Sequence, residues 1–368
     1  MSTLFDAVAE FPLEIEEVAR TRRDRDTSSG FVRTTTTFHL RGGVDERRSS
    51  AHQTQSGDGA EGRGEDVTYD TEDHDALEDA PEDPFDIVGE YESFAEFSDS
   101  LDDADLFPTG GPEREASERY RRWAVESAGL DLALRQNDRS LSDVLDVDPD
   151  PVRFVVSTSL GDPPSRTRVE SILSEYPGTE FKLDPTTEWS ENVVESLATT
   201  AAVRILDLKG HYAGTDVQQE PDPQLYRIVL SGFPEAVVED PGITDDTRSL
   251  FEGEEGRVSW DAPVTGVESI EDLPFEPSWL NVKPSRFGTV KSLFETIEYA
   301  REEEITLYGG GQFELGVGRQ HIQLLASLFY PDGPNDVAPG GYNDPEIPDG
   351  LPTSPLDAPE NEIGLKWS

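Results

Sequence analysis

From residue 152 to residue 308 the chain repeats one pattern: a short apolar run rich in β-branched and aromatic residues, then a stretch with helical spacing. The runs fall at 152–156, 180–183, 203–206, 236–238, 257–260, 279–282 and 305–308, and helical stretches at 190–200, 225–232 and 289–303 separate several of them. Strands joined through helices need crossover connections, and crossovers make neighbouring strands parallel. Such a sheet is either an open doubly wound sheet or a barrel. No glycine-rich phosphate loop follows the first run, whereas Gly309-Gly310-Gly311 ends the seventh, so the pattern predicts a β/α barrel rather than a dinucleotide crevice.

The region ahead of the repeat reads differently. Residues 30–40 have the composition of a strand whose hairpin partner is expected at 64–69, after a long polar and partly mobile loop over 43–62. An acidic, proline-interrupted stretch over 71–105 suggests short helices. A longer amphipathic helix runs from about Pro112 to Leu134. The expected organisation is an α+β region over 1–150, with an acidic segment at about 43–105, a barrel over 151–340, and a segment over 341–368 returning to the first region.

Charge narrows the function. With 78 Asp plus Glu against 30 Lys plus Arg, the net charge is −48, which repels phosphate backbones and anionic lipid surfaces. Nucleic acid and membrane are therefore not expected partners. The spread of carboxylates along the whole chain predicts a salt-adapted protein, since self-repulsion is screened at molar salt. No cysteine means no thiolate catalysis and no zinc-thiolate site. With no spanning segment and no signal sequence visible, a cytoplasmic location is expected.

Only five of the basic residues are lysines, and three of them cluster at expected strand ends: Lys182, Lys209 and Lys283. Acids accompany them at the same and neighbouring ends: Asp184, Asp207, Glu239, Asp240 and Asp261. An Asp after a strand commonly caps the next helix. On a barrel, however, strand C-termini converge on one mouth, where active sites are built. Three carboxylates on successive strands there would supply the hard oxygen ligands of Mg²⁺, and lysines on either side could move a proton.

In this ordered set the chain resembles the enolase superfamily, nearest its mandelate racemase/muconate lactonizing enzyme group and within it the muconate lactonizing enzyme and o-succinylbenzoate synthase branch. The stretches 124–134 and 307–318, the pair Asn335-Asp336, and Gly64-Glu65 in an N-terminal hairpin region support the match. The resemblance implies an α/β fold: a modified TIM (β/α)7β barrel with an N-terminal α+β capping domain, completed by the C-terminal segment. It implies Asp207, Glu239 and Asp261 as ligands of Mg²⁺, with Mn²⁺ as an alternative, and Lys182 and Lys283 as acid and base. The implied reaction is proton abstraction α to a carboxylate through an enediolate, in an epimerase, a dehydratase or other lyase, or a cycloisomerase.

Two positions depart from the branch. Asp184 stands where a second strand-two lysine is usual, and Lys209 stands where the branch often has Asn; Lys209 either replaces the missing amine or pairs with Asp184. Arg286 is a candidate for binding a substrate carboxylate or for neutralising a nearby acid, Glu314 for contacting substrate or holding the glycine-rich loop, and Asp336 for contacting substrate. His211 is expected to be a spectator and Trp260 and Phe313 to be packing residues. The expected partner is a small-molecule carboxylate, and a homo-oligomer is compatible with all of this. Because Asp184 removes the usual amine, the alternative function is a catalytically altered barrel acting as a ligand-binding or regulatory protein.

Overall fold

The computed structural model describes residues 3–43, 59–212, 215, 217–359 and 363–367. After a short helix, Leu4–Ala9, come strands β1 (Leu13–Ile15), β2 (Glu17–Asp26), β3 (Val32–Gly42), β4 (Ala60–Asp66) and, further on, β5 (Gly89–Tyr91). β2, β3 and β4 form an antiparallel sheet in that order, and β1 pairs antiparallel with β5. β4 begins four residues earlier than the expected hairpin partner. The loop expected over 43–62 lies largely outside the described residues. β2, with four arginines in ten residues, carries no apolar periodicity; it is a strand because β3 pairs with it along its whole length.

Two short helices, Thr71–Glu78 and Phe94–Ser100, occupy the acidic stretch. Helix Glu115–Gln136 then lies on the sheet, and Phe38, Leu40, Phe94, Phe97, Ala124 and Ala128 are all fully buried. The approach is so close that a Cβ at Gly62 would sit 2.2 Å from the Ala128 carbonyl oxygen, so β4 requires glycine there.

Seven strands are present, the first shifted so that it meets its expected run of 152–156 only at Val156: β6 (Val156–Thr158), β7 (Glu180–Leu183), β8 (Ala202–Asp207), β9 (Val237–Glu239), β10 (Val258–Trp260), β11 (Trp279–Val282) and β12 (Thr306–Gly309). They pair in chain order, each parallel to the next, in one curled sheet. Helices Thr167–Glu175, Glu191–Thr200, Pro223–Gly232, Val290–Glu302 and Val317–Phe329 alternate with them. After β9 the alternation lapses, and two 3₁₀ turns, Arg248–Phe251 and Glu255–Arg257, take the place of an α-helix.

Between β6 and β12 the position of an eighth strand is filled by a short segment centred on Asn335, whose neighbour Asp336 donates its N–H to Gly309 O (2.8 Å). Asn335, fully buried, accepts the Val155 N–H at its carbonyl (2.8 Å) and the Gly309 N–H at Oδ1 (2.6 Å), while its Nδ2 donates to Arg153 O (2.9 Å). Its side-chain amide thus substitutes for backbone on one side of the seam. Beyond the barrel, Leu356 pairs with Val152, and Leu365 N donates to Asp131 Oδ1 (2.8 Å), so the C-terminal segment returns to helix Glu115–Gln136.

Candidate metal centre

Asp207 ends β8, Glu239 ends β9 directly beside it in register, and Asp261 follows β10 by one residue. All three are fully buried, and each offers a carboxylate oxygen within 4.8 Å of the others. Parallel strands of one curl end at one level, which is why residues far apart in sequence meet here.

Four cations surround these carboxylates. Lys182 Nζ donates to Glu239 Oε1, lies 3.2 Å from Asp207 Oδ2, and is 3.8 Å from Asp336 Oδ2. Lys209 Nζ donates to Asp207 Oδ2 and lies 3.7 Å from Asp184 Oδ1. On the far side, Lys283 Nζ is 2.8 Å from Asp261 Oδ2, and Arg286 Nε is 3.2 Å from Asp261 Oδ1. Neutral donors complete the shell: Tyr212 donates to Asp261 Oδ2 (2.7 Å), while Tyr308 and Asn281 Nδ2 (3.1 Å) donate to Glu239 Oε2.

Burial alone would raise the carboxyl of Asp207, but the Lys209 and Lys182 ammonium groups outweigh it and hold it below the usual carboxylate range. Asp261 is lowered in the same way, burial being overcome by Arg286 and Lys283. Conversely, burial opposes the charge on Lys209, yet Asp184 and Asp207 keep its ammonium above the ordinary lysine value. Asp240 behaves oppositely: burial and the charges of Asp261 and Asp207 push it up to about 7, although it accepts hydrogen bonds from Asp261 N and Ala262 N, both 2.8 Å. Those two bonds fix the backbone that carries Asp261.

The residues suit a divalent cation. Three carboxylates are hard oxygen donors of the kind Mg²⁺ and Mn²⁺ prefer, and Asp261 Oδ1 is buried without a hydrogen-bond partner.

The structure brings these residues together as two groups of ion pairs, Lys182 and Lys209 with Asp184, Asp207, Glu239 and Asp336, and Lys283 and Arg286 with Asp261, which meet at the carboxylate triad. Lys209 meets Asp184 only at 3.7 Å and bonds Asp207 instead. Arg286 is engaged with Asp261 and donates to Ala262 O (3.1 Å). Glu314 belongs to the glycine-rich loop: its Oε1 accepts the Gln312 N–H (2.7 Å), and Oε2 is 3.6 Å from Arg319. That loop passes close to the base of the site, since a Cβ at Gly310 would sit 2.9 Å from Lys283 Cε. His211 bonds the Pro241 carbonyl (3.1 Å) and sets its ring edge against Trp260, which is fully buried; Phe313 meets Phe31 edge to face.

Tyr212, Tyr308 and Asn281 were not among the residues singled out by sequence, and Asp240 was noted only as an acid at a strand end. Asn281 had a usable signal, because it lies two positions before Lys283 and alternation along β11 places both on one face. The tyrosines had none, being uncharged and ordinary in a strand or loop.

Among the described residues no helix is long and apolar enough to cross a membrane. No curated protein matches the chain in sequence. Solved structures do match in fold. A member of the enolase superfamily from Listeria innocua is 17% identical with a TM-score of 0.63, covering 96% of this chain and 94% of its own. Muconate lactonizing enzyme from Pseudomonas putida is 18% identical with a TM-score of 0.60 and 96% coverage of each chain. Dipeptide epimerase from Enterococcus faecalis is 13% identical with a TM-score of 0.67, covering 97% of this chain and all of its own. At such identities the likeness establishes the fold, which is that of an enolase-superfamily capping domain and barrel. Two family models cover most of the sequence: the N-terminal domain of DUF8230, a domain of unknown function, matches residues 6–144, and its C-terminal domain matches residues 148–344. The chain thus belongs to the DUF8230 family and carries the enolase-superfamily fold.

Proposed function

We propose that this protein is a divalent-metal-dependent enzyme that abstracts the proton α to the carboxylate of a small-molecule acid, as an epimerase, a dehydratase or other lyase, or a cycloisomerase. The observation that carries the reading is the buried triad Asp207, Glu239 and Asp261, set between the amines of Lys182 and Lys209 on one side and Lys283 on the other. The enzymes named among the structural neighbours support it through fold alone.

Mg²⁺ or Mn²⁺ held by the three carboxylates would supply Lewis-acid stabilisation of charge developing on the substrate carboxylate. The chain's own groups do the rest. Lys283 takes or returns a proton on one face, and Lys182 with Lys209 presents charge or a proton from the other. Asp240 fixes the Asp261 backbone, and Arg286 and Tyr212 orient its side chain. Asp336, beside Lys182, and Glu314, in the glycine-rich loop, are positioned to contact substrate. The acidic composition favours a small-molecule partner in the cytoplasm over nucleic acid or a membrane.

The test is proton exchange. A panel of carboxylic acids is incubated with the protein and Mg²⁺ in deuterium oxide at molar KCl, and loss of the α-proton signal is followed by NMR. Exchange into at least one acid is expected, and Glu239→Gln should abolish both exchange and Mg²⁺ binding; unchanged Mg²⁺ binding in that variant rejects the site. A ligand-binding protein without proton transfer is the second reading. It is favoured by one observation: each triad carboxylate already has an internal cation beside it. Metal binding with no exchange in any acid would select it.

A further inference from the structure

Both oxygens of Asp207 are engaged by the chain itself. Oδ1 accepts the Lys209 backbone N–H (3.1 Å), and Oδ2 holds two ammonium groups, Lys209 through a hydrogen bond and Lys182 at 3.2 Å. A divalent cation using Asp207 must therefore compete with them. Lys182 keeps a second anchor in Glu239 Oε1. Lys209 has a second acceptor within reach as well. Asp184 Oδ1 lies 3.7 Å from its Nζ, beyond hydrogen-bond distance, and that oxygen is sealed from solvent with no hydrogen-bond partner.

A buried carboxylate oxygen without a donor is costly and demands an explanation. Here the nearest cation is one that can move to it. Lys209 has a flexible four-carbon stem, its side chain is 17% exposed, and the ring of Tyr212 lies 5.1 Å from Nζ. The two backbone atoms holding the residue in place, its N–H on Asp207 Oδ1 and its carbonyl accepting from Gln219 N (3.1 Å), do not involve the ammonium.

We infer that Lys209 is an internal competitor for the metal site: its ammonium and a divalent cation contend for Asp207, and Asp184 is the alternative acceptor that takes the ammonium when the cation binds. The inference rests on reading Asp207, Glu239 and Asp261 as metal ligands. Its consequence is that Asp184 and Lys209, neither of them a ligand, jointly set metal affinity.

Calorimetric titration with MnCl₂ at molar KCl tests this on the full chain, comparing wild type, Lys209→Met, Asp184→Asn and the double variant, each first checked by thermal unfolding. Lys209→Met should bind about tenfold tighter and Asp184→Asn about tenfold weaker, within the range usual for coupled sites. The Asp184→Asn loss should shrink below about twofold in the K209M background, because no ammonium then needs the second acceptor. A loss undiminished in that background means Asp184 acts on the cation directly or only through its charge, and overturns the inference. So does unaltered affinity in Lys209→Met. Lys209→Gln, which keeps a polar head without the charge, serves if the Met variant does not fold. Binding absent from wild type and every variant rejects the metal reading itself, whereas equal binding in all four rejects only the competition.

Discussion

In the capping domain buried charges are held largely by backbone groups; in the barrel mouth they end on one another. Arg33, 1% exposed, donates to the carbonyls of Thr68 (2.6 Å), Gln312 (3.2 Å) and Val67. Arg121, equally buried, donates to Asp66 Oδ2 (2.8 Å) and to the carbonyls of Leu106 and Asp73. Glu65 reaches from β4 across to the barrel and accepts N–H groups of Leu315 (2.7 Å), Gly316 and Gly318 (2.8 Å) at the start of helix Val317–Phe329. Backbone partners cannot swing away, so these charges act as fixed joints. In the mouth the partners are lysines on flexible stems, and Asp184 Oδ1, Asp261 Oδ1 and Asn281 Oδ1 are buried without hydrogen bonds. A cluster satisfied by movable cations can exchange them for a metal or a substrate, and one satisfied by backbone cannot.

The sharpest way to break this contrast is Lys283→Met. Proton exchange should fall by about 10²–10⁴-fold, the usual contribution of a positioned acid or base. Stability should stay within about 1 kcal/mol of wild type, because Asp261 keeps Arg286 and Tyr212. Denaturant unfolding that shows a larger loss would make Lys283 a structural residue. Arg121→Met should do the reverse, costing about 3–5 kcal/mol by stranding Asp66; a stable variant would mean the cap tolerates an unpaired buried carboxylate.

His321 sharpens the comparison with a third kind of buried group, one with no partner at all. It sits among Trp123, Leu130, Phe294, Leu325 and Leu365, where cap, barrel and C-terminal segment meet, and both ring nitrogens lack hydrogen bonds. Burial lowers its pKa to about 4, with Asp131 and Arg135 as the nearby charges. The unfolded chain therefore binds this proton first as pH falls. The stabilising effect is complete above about 6.5 and is lost on the way down to about 4, amounting to roughly 3 kcal/mol. Unfolding measured across that window should show the loss in wild type and not in His321→Leu. The smallest effect is expected from Glu65→Gln, about 1–2 kcal/mol, since the amide oxygen still accepts at the helix start but the charge is gone. No change in unfolding would mean that Glu65 is neutral in the folded protein.

Much of the site was legible because its residues are charged and its strands are regular. β7, β8, β9, β10, β11 and β12 read directly from short apolar runs, and all but β12, which runs into glycines, placed a charge at the end. The unread parts share a physical cause. β2 is a strand only because β3 pairs with it, and its own residues are mostly charged. The segment centred on Asn335 replaces a strand by using that side chain as backbone, which no periodicity announces. Tyr212 and Tyr308 become site residues only through what their hydroxyl groups reach.

The sequence alone determined the alternation of strand and helix, the acidic surface, and the order of lysine and carboxylate along the barrel, because each depends on neighbours a few positions away. Only the tertiary structure decided which cation faces which carboxylate. Lys209 sits two residues from Asp207 and three from Tyr212 but far in sequence from Asp184 and Lys283, and its pairing depends on distances of a few ångströms between strand ends that the curl of the sheet sets.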